Sequence, residues 1–130
     1  MSIPPRFPIS DDQITQVVHL FYQAVRHDPV LGSIFARHVH DWSTHEATIV
    51  RFWRNAILFE RDYHGNPMQT HMRIQEINPK HFDIWLRLFD ETLETQLPDE
   101  TAAAWSALAH RIGRGLRYAS EPNDGPPVLR

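Results

Sequence analysis

The 130 residues suffice for one hydrophobic core and hardly for two, and 42% hydrophobic beside 22% charged residues is ordinary globular usage, neither disordered nor membrane-embedded. No cysteine is present, which excludes disulfide frameworks, thiolate zinc sites, iron–sulfur clusters and cysteine nucleophiles, so metal chemistry would rest on His, Asp, Glu or Tyr. A formal net charge of -3, from 13 basic and 16 acidic residues, speaks against general binding of nucleic acid through its phosphates, and with no apolar run near the ~20 residues of a membrane span and no secretory stretch after Met1, a cytoplasmic chain that enters no membrane is expected.

Residues 1–9 carry three prolines and are expected to be extended. A single helical domain is then expected over 10–119, with a loose, proline-containing tail over 120–130. Ser10-Asp11-Asp12-Gln13 fits a capping box, and Ile14, Val17, Val18, Phe21, Ala24 and Val25 recur behind it at helical spacing, with Tyr22 at the border of that stripe. Asp28-Pro29 breaks the helix, and Val30 to Phe35 forms a short helical or turn segment leading to His40. The next helix starts at Asp41 or Ser43, the latter pairing with Glu46 in a second Ser-x-x-Glu box, and runs to about Phe59. Its inward face is Trp42, His45, Ile49, Phe52, Trp53 and Ala56.

A loop on His64-Gly65-Asn66-Pro67 leads to a short helical piece carrying His71 between Met68 and Met72. Asn78-Pro79 opens a further helix to about Gln96 that buries Phe82, Trp85, Phe89 and Leu93, with Leu86 and Leu88 alongside. Pro98-Asp99 opens the last helix, whose stripe of Trp105, Leu108, Ala109, Ile112, Leu116 and Ala119 has the cleanest 3.6-residue period in the chain. Arg111, Arg114 and Arg117 line one side of it and read as a solvated face. No segment alternates apolar and polar residues as a strand would, so the fold is expected to be all-α.

A helical fold that buries a cofactor needs inward polar groups that are otherwise costly to desolvate. Tyr22, His45 and the indole of Trp85 are such groups, and His71 joins them beside two methionines suited to an irregular apolar cavity. Each taken alone is the kind of residue that also serves plain packing: a hydrogen-bonded boundary histidine, aromatic rings with a local partner, core methionines. Their joint occurrence carries the argument, in a short chain holding 9 His with 4 Trp, 7 Phe and 3 Tyr.

The segments Leu20-Phe21-Tyr22-Gln23-Ala24-Val25, Trp42-Ser43-Thr44-His45, Phe52-Trp53, Asp62 to His71 and His81 to Phe89 resemble the group III truncated haemoglobins, over roughly residues 12–119. The resemblance implies a truncated globin-like helical sandwich with haem b, iron protoporphyrin IX, buried between helices. It implies His71 as the proximal iron ligand, its second ring nitrogen bonded to a carbonyl. Tyr22 and Trp85 fall on the opposite face as donors to bound O₂, and His45 at the distal histidine position. Phe21, Phe35, Ile49 and Trp53 match pocket-lining positions, to which Phe82, Ile112 and Leu116 are added by face and location. Met68 and Met72 flank the ligand, and Met72, Ile74 and Ile77 wall the proximal side. One departure lies between Phe35 and Trp42, where this chain is several residues shorter, which bears on how His45 points.

The function implied is binding of O₂, CO and NO at an iron able to stand five-coordinate, with distal stabilisation of bound O₂. Two alternatives remain at this point. One is a haem redox enzyme acting on nitric oxide, nitrite or peroxide, an NO dioxygenase or peroxidase-like protein served by an electron-donating reductase. The other is a helical interaction module without cofactor. A di-iron bundle lacks its paired Glu-x-x-His units, and no oligomeric state is assigned.

Overall fold

The first three helices begin where side-chain oxygens satisfy their first N–H groups. The computed structural model describes residues 4–59 and 79–120, with side chains of the last helix described as far as Arg114. Among these residues there are five helices and no strand: α1 (Asp11–His27), α2 (Leu31–His38), α3 (Trp42–Leu58), α4 (Pro79–Gln96) and α5 (Asp99–Ser120). The Ser10 hydroxyl accepts from the Gln13 N–H at 3.1 Å while the Gln13 side chain accepts from the Ser10 N–H at 2.8 Å, so the reciprocal box opens α1. Asp28 serves two helices. Its N–H caps the carbonyls of Ala24 and Val25, and its carboxylate accepts from the N–H groups of Val30 and Leu31 at 2.9 and 2.8 Å, turning the chain into α2.

Of the two starts open to α3, the chain uses Asp41. Its carboxylate accepts from the Thr44 N–H at 3.1 Å and from the Thr44 hydroxyl at 2.7 Å, which holds the acid below its ordinary value. Ser43 therefore lies inside the first turn, and Glu46 is left to bond elsewhere. The helix ends at Phe59 in the left-handed region, φ 58°.

α1 is the central element, packed against α2, α3 and α4, while α4 packs along α5. α1 and α3 run antiparallel, as their paired residues show: Asp11 with Arg54 (3.5 Å), His19 with Glu46 (2.8 Å), and Arg26 over the Trp42 ring (4.8 Å). α4 and α5 are joined through Asp90, whose carboxylate accepts from the Ser106 hydroxyl at 2.6 Å and meets His110 Nε2 at 2.6 Å.

The core is an aromatic stack. Trp85 and Phe89 on α4 lie parallel at 5.3 Å, Trp53 of α3 stacks on Phe89 at 5.5 Å, and Trp105 of α5 meets Phe89 edge-on at 5.4 Å. Phe21 of α1 closes it from above, edge to both Trp85 and Phe89. Buried Ile57 and Thr92 extend the faces that periodicity marked on α3 and α4, the Thr92 hydroxyl bonding back to the Leu88 carbonyl at 2.9 Å. Ala24, Phe52 and Ala56 are only half-buried, on the flanks of their stripes.

The described residues before α1 bend at Arg6 and Phe7 and are fastened to the helices. The Arg6 N–H and Nε donate to the carbonyls of Ile57 and Ala56 at 2.9 and 2.7 Å, capping the end of α3, and Phe7 is buried against Trp105.

Candidate functional site

Three helices bring their polar aromatic residues to one place. Tyr22 departs from the position that periodicity gave it: instead of bordering the stripe it is fully buried. The reason is tertiary. α2 and α3 cover that flank of α1, so that Phe35 (6.4 Å), Trp42 (5.9 Å) and His45 (4.9 Å) all meet the phenol ring, with Phe21 beside it at 4.9 Å. Trp85 enters from α4 through its contact with Phe21.

The Tyr22 hydroxyl and the Trp85 indole N–H are both buried, and neither has a hydrogen-bond partner of good alignment among the described residues. Burial drives the phenol's proton affinity well above its ordinary value, and the Glu46 carboxylate adds to this. The indole N–H of Trp85 lies near enough to favour the phenolate slightly, without forming an aligned bond. Tyr22 therefore keeps its proton throughout the physiological range. Leaving such a group unbonded costs about 1–3 kcal/mol, and the Trp105 indole N–H in the core stands the same way among the described residues; what sets Tyr22 and Trp85 apart is that two such donors from different helices lie close together.

His45 stands half-buried on α3, edge-on to Tyr22 and to Trp42 at 5.7 Å. Burial lowers its proton affinity, with Glu46 opposing, so the neutral imidazole is favoured. Glu46 itself is directed across the seam, where its carboxylate meets Nδ1 of His19 at 2.8 Å. Sequence reasoning missed it, having set it in a helix-start box with Ser43. The available signal was its place beside an inward histidine, on the edge of α3 that faces α1.

The remaining residues proposed from sequence divide in three. Phe21, Phe35 and Ile49 are buried, the first two in ring contact with Tyr22. Trp53 and Phe82 are buried as well, but the Trp53 ring is engaged by Phe89 and Trp105; Ile112 is half-buried on α5. Met68, His71, Met72, Ile74 and Ile77 lie outside the described residues, as does the side chain of Leu116. Among the described residues, no group of three or more His, Asp or Glu is placed to hold a metal ion, and no helix is long and apolar enough to cross a membrane.

Comparison with known proteins agrees with this architecture. The family model for bacterial-like globins matches residues 10–113. A group 3 truncated hemoglobin of Campylobacter jejuni is 34% identical over 96 residues, 71% of this chain and 76% of that protein. The crystal structure of a group III truncated hemoglobin from Campylobacter jejuni superposes with a TM-score of 0.84 at 28% identity, covering 97% of this chain and 100% of that one. The chain therefore belongs to the bacterial-like globins and, within them, to the group III truncated haemoglobins.

Proposed function

We propose that the chain carries haem b on His71 and binds O₂, CO and NO, with Tyr22 and Trp85 as the hydrogen-bond donors that favour O₂. Membership of the globins carries haem-based binding of gaseous ligands in general. The donor identities, the ligand preference and the iron ligand are our own reading. The observation that supports it is the pair of buried donors, the Tyr22 hydroxyl and the Trp85 N–H, from different helices, close together and without an aligned hydrogen bond among the described residues. A cofactor that presents a polar ligand to this cluster gives both groups a use, so the residues present fit haem.

Haem supplies, when bound, an iron whose open face takes a diatomic gas and shifts electron density onto it. The chain does the rest. Phe21, Phe35 and Ile49 exclude water, which strengthens any hydrogen bond made among them. Tyr22 and Trp85 keep their donors available, and raised proton affinity keeps the phenol protonated, so that its O–H remains a donor. Neutral His45 adds an apolar-faced imidazole at the α1–α3 seam. His71 would bind iron through one ring nitrogen between Met68 and Met72, with Met72, Ile74 and Ile77 walling that side and Trp53, Phe82, Ile112 and Leu116 as further pocket lining.

The test combines uptake with kinetics. Haemin added to the purified chain should give a Soret band, and reduction under CO a carbonyl spectrum; His71→Ala should bind no haem stably. Tyr22→Phe should release O₂ faster by a few-fold to about a hundredfold, the equivalent of ~0.5–3 kcal/mol for a bond to a partly charged acceptor. Unchanged O₂ dissociation in Tyr22→Phe would remove the donor role, and an unaltered Soret band in His71→Ala would remove the iron assignment. Steady-state consumption of NO by the oxygenated protein with a reductase supplied separates turnover from reversible binding.

A further inference from the structure

We propose that the α4–α5 face is where two copies of this chain pair reversibly, about a two-fold axis through the Asp90–Ser106 hydrogen bond. The pairing involves neither haem nor the Tyr22 cluster.

α4 and α5 run antiparallel, since Leu86 lies against Gly113 while Asp90, further along α4, bonds Ser106, earlier on α5. A groove follows the two helices and opens into two cavities that share Asp90 and Glu94. At one end a cavity of about 520 Å³ is lined by Leu86 and Gly113 together with Arg87 and Arg114, and Asp83 and Glu91 stand beside them. At the other end a cavity of about 430 Å³ is lined by Leu93, Ala102 and Ala103 with Glu94 and Asp99, and no basic residue takes part. The two arginines of the face thus share one end, and the other end is acidic.

Between the ends stands Asp90, whose oxygens are taken up by the Ser106 hydroxyl and by His110 Nε2, each at 2.6 Å. These bonds are complete within one copy, so the middle of the face asks no polar group of a partner. Arg87 comes three residues before Asp90 and Glu94 four after it; on α5, Arg114 comes eight after Ser106 and Asp99 seven before it. A two-fold axis through the middle, perpendicular to both helices, therefore sets Arg87 of one copy opposite Glu94 of the other, and Arg114 opposite Asp99, each contact being made twice. An axis running along the helices would instead oppose like charges. The charges are available for this use. Glu94, Asp99 and Arg114 form no ion pair among the described residues, and Arg87 meets Glu91 at 3.9 Å with side chains 62% and 63% exposed, a loose pair that is readily exchanged. A polar face two helices wide is small for a permanent complex, hence the reversibility.

Sedimentation equilibrium of the purified chain at about 10–500 µM should show monomer and dimer in exchange, with pairing weakened as salt rises from about 50 to about 500 mM. Arg87→Glu and Glu94→Arg, both at exposed positions, should each weaken pairing by about ten- to fiftyfold, because the axis turns one substitution into two repelling contacts. The double variant should recover it, since the exchanged charges again face their opposites. Circular dichroism melts of the four proteins keep loss of fold apart from loss of pairing. The chain has no cysteine, so Glu91→Cys, beside the axis, forms a disulfide only between copies and should cross-link faster than Arg51→Cys on α3. A monomer throughout the concentration range would overturn the proposal, as would a dimer that keeps its affinity in both single variants or fails to recover in the double one. Binding of a lysine-rich peptide by a monomeric chain, lost in Glu94→Arg, would overturn it in favour of a basic partner.

Discussion

Tyr22 carries two opposed demands in one hydroxyl. Buried without an aligned partner among the described residues, it destabilises the ligand-free fold; given a polar ligand, it becomes a donor. Tyr22→Phe is therefore expected to raise the stability of the haem-free chain by about 1 kcal/mol while weakening its hold on O₂, and urea unfolding beside O₂ release measures both signs. His45 gives a pH dependence of definite direction. Its folded-state proton affinity lies below the ordinary value of 6.5, because burial disfavours the charged ring. Stability is full above that value and falls as pH drops through it, since the unfolded chain then binds the proton more readily. His45→Leu should flatten this slope relative to wild type, read as the difference in denaturation midpoint between about pH 7.5 and about pH 5.5. At this scale the sequence marked Tyr22, His45 and Trp85 as inward polar groups, because a helical period places them so. It misjudged how deep Tyr22 sits, because a period reports the face of one helix and is blind to the Phe35, Trp42 and His45 rings that close over it.

The elements themselves were largely legible where local chemistry writes them. The Ser10–Gln13 box, the Asp28-Pro29 break and the Trp105–Leu108–Ala109 stripe each follow from side chains within a few residues of one another. What a single helix does not reveal is how near its neighbour's backbone comes, and two glycines show the difference. A Cβ at Gly32 would stand 2.6 Å from the Arg26 carbonyl oxygen, which is main chain held within α1 and cannot yield. At Gly113 it would meet Leu86 Cδ1 at 3.0 Å, the free end of a side chain. Gly32→Ala is expected to destabilise by roughly 1–3 kcal/mol, in spite of alanine's better helix propensity. Gly113→Ala should cost under 1 kcal/mol or gain slightly, as propensity offsets a small shift of Leu86. Thermal melts of the two variants, run side by side, check the contrast.

For the molecule as a whole, the all-α character was plain from periodicity, whereas the part played by the first residues was not. Nothing in a proline-rich opening indicates that Arg6 caps α3 or that Phe7 packs on Trp105. Phe7→Ala is expected to cost roughly 3 kcal/mol, near the lower end for a buried phenylalanine, with a matching loss in denaturant midpoint; a change below about 0.5 kcal/mol would show that the segment merely rests on the surface. The fastening joins residues far apart in the chain: Arg6 to Ala56, and Thr101 to the Pro8 carbonyl at 3.4 Å. Residues 6–8 are made before α1, yet their berth on Trp105 does not exist until α5 has been made. The segment ahead of α1 is thus among the last parts to be seated, and a substitution in it would disturb the end of folding rather than its start.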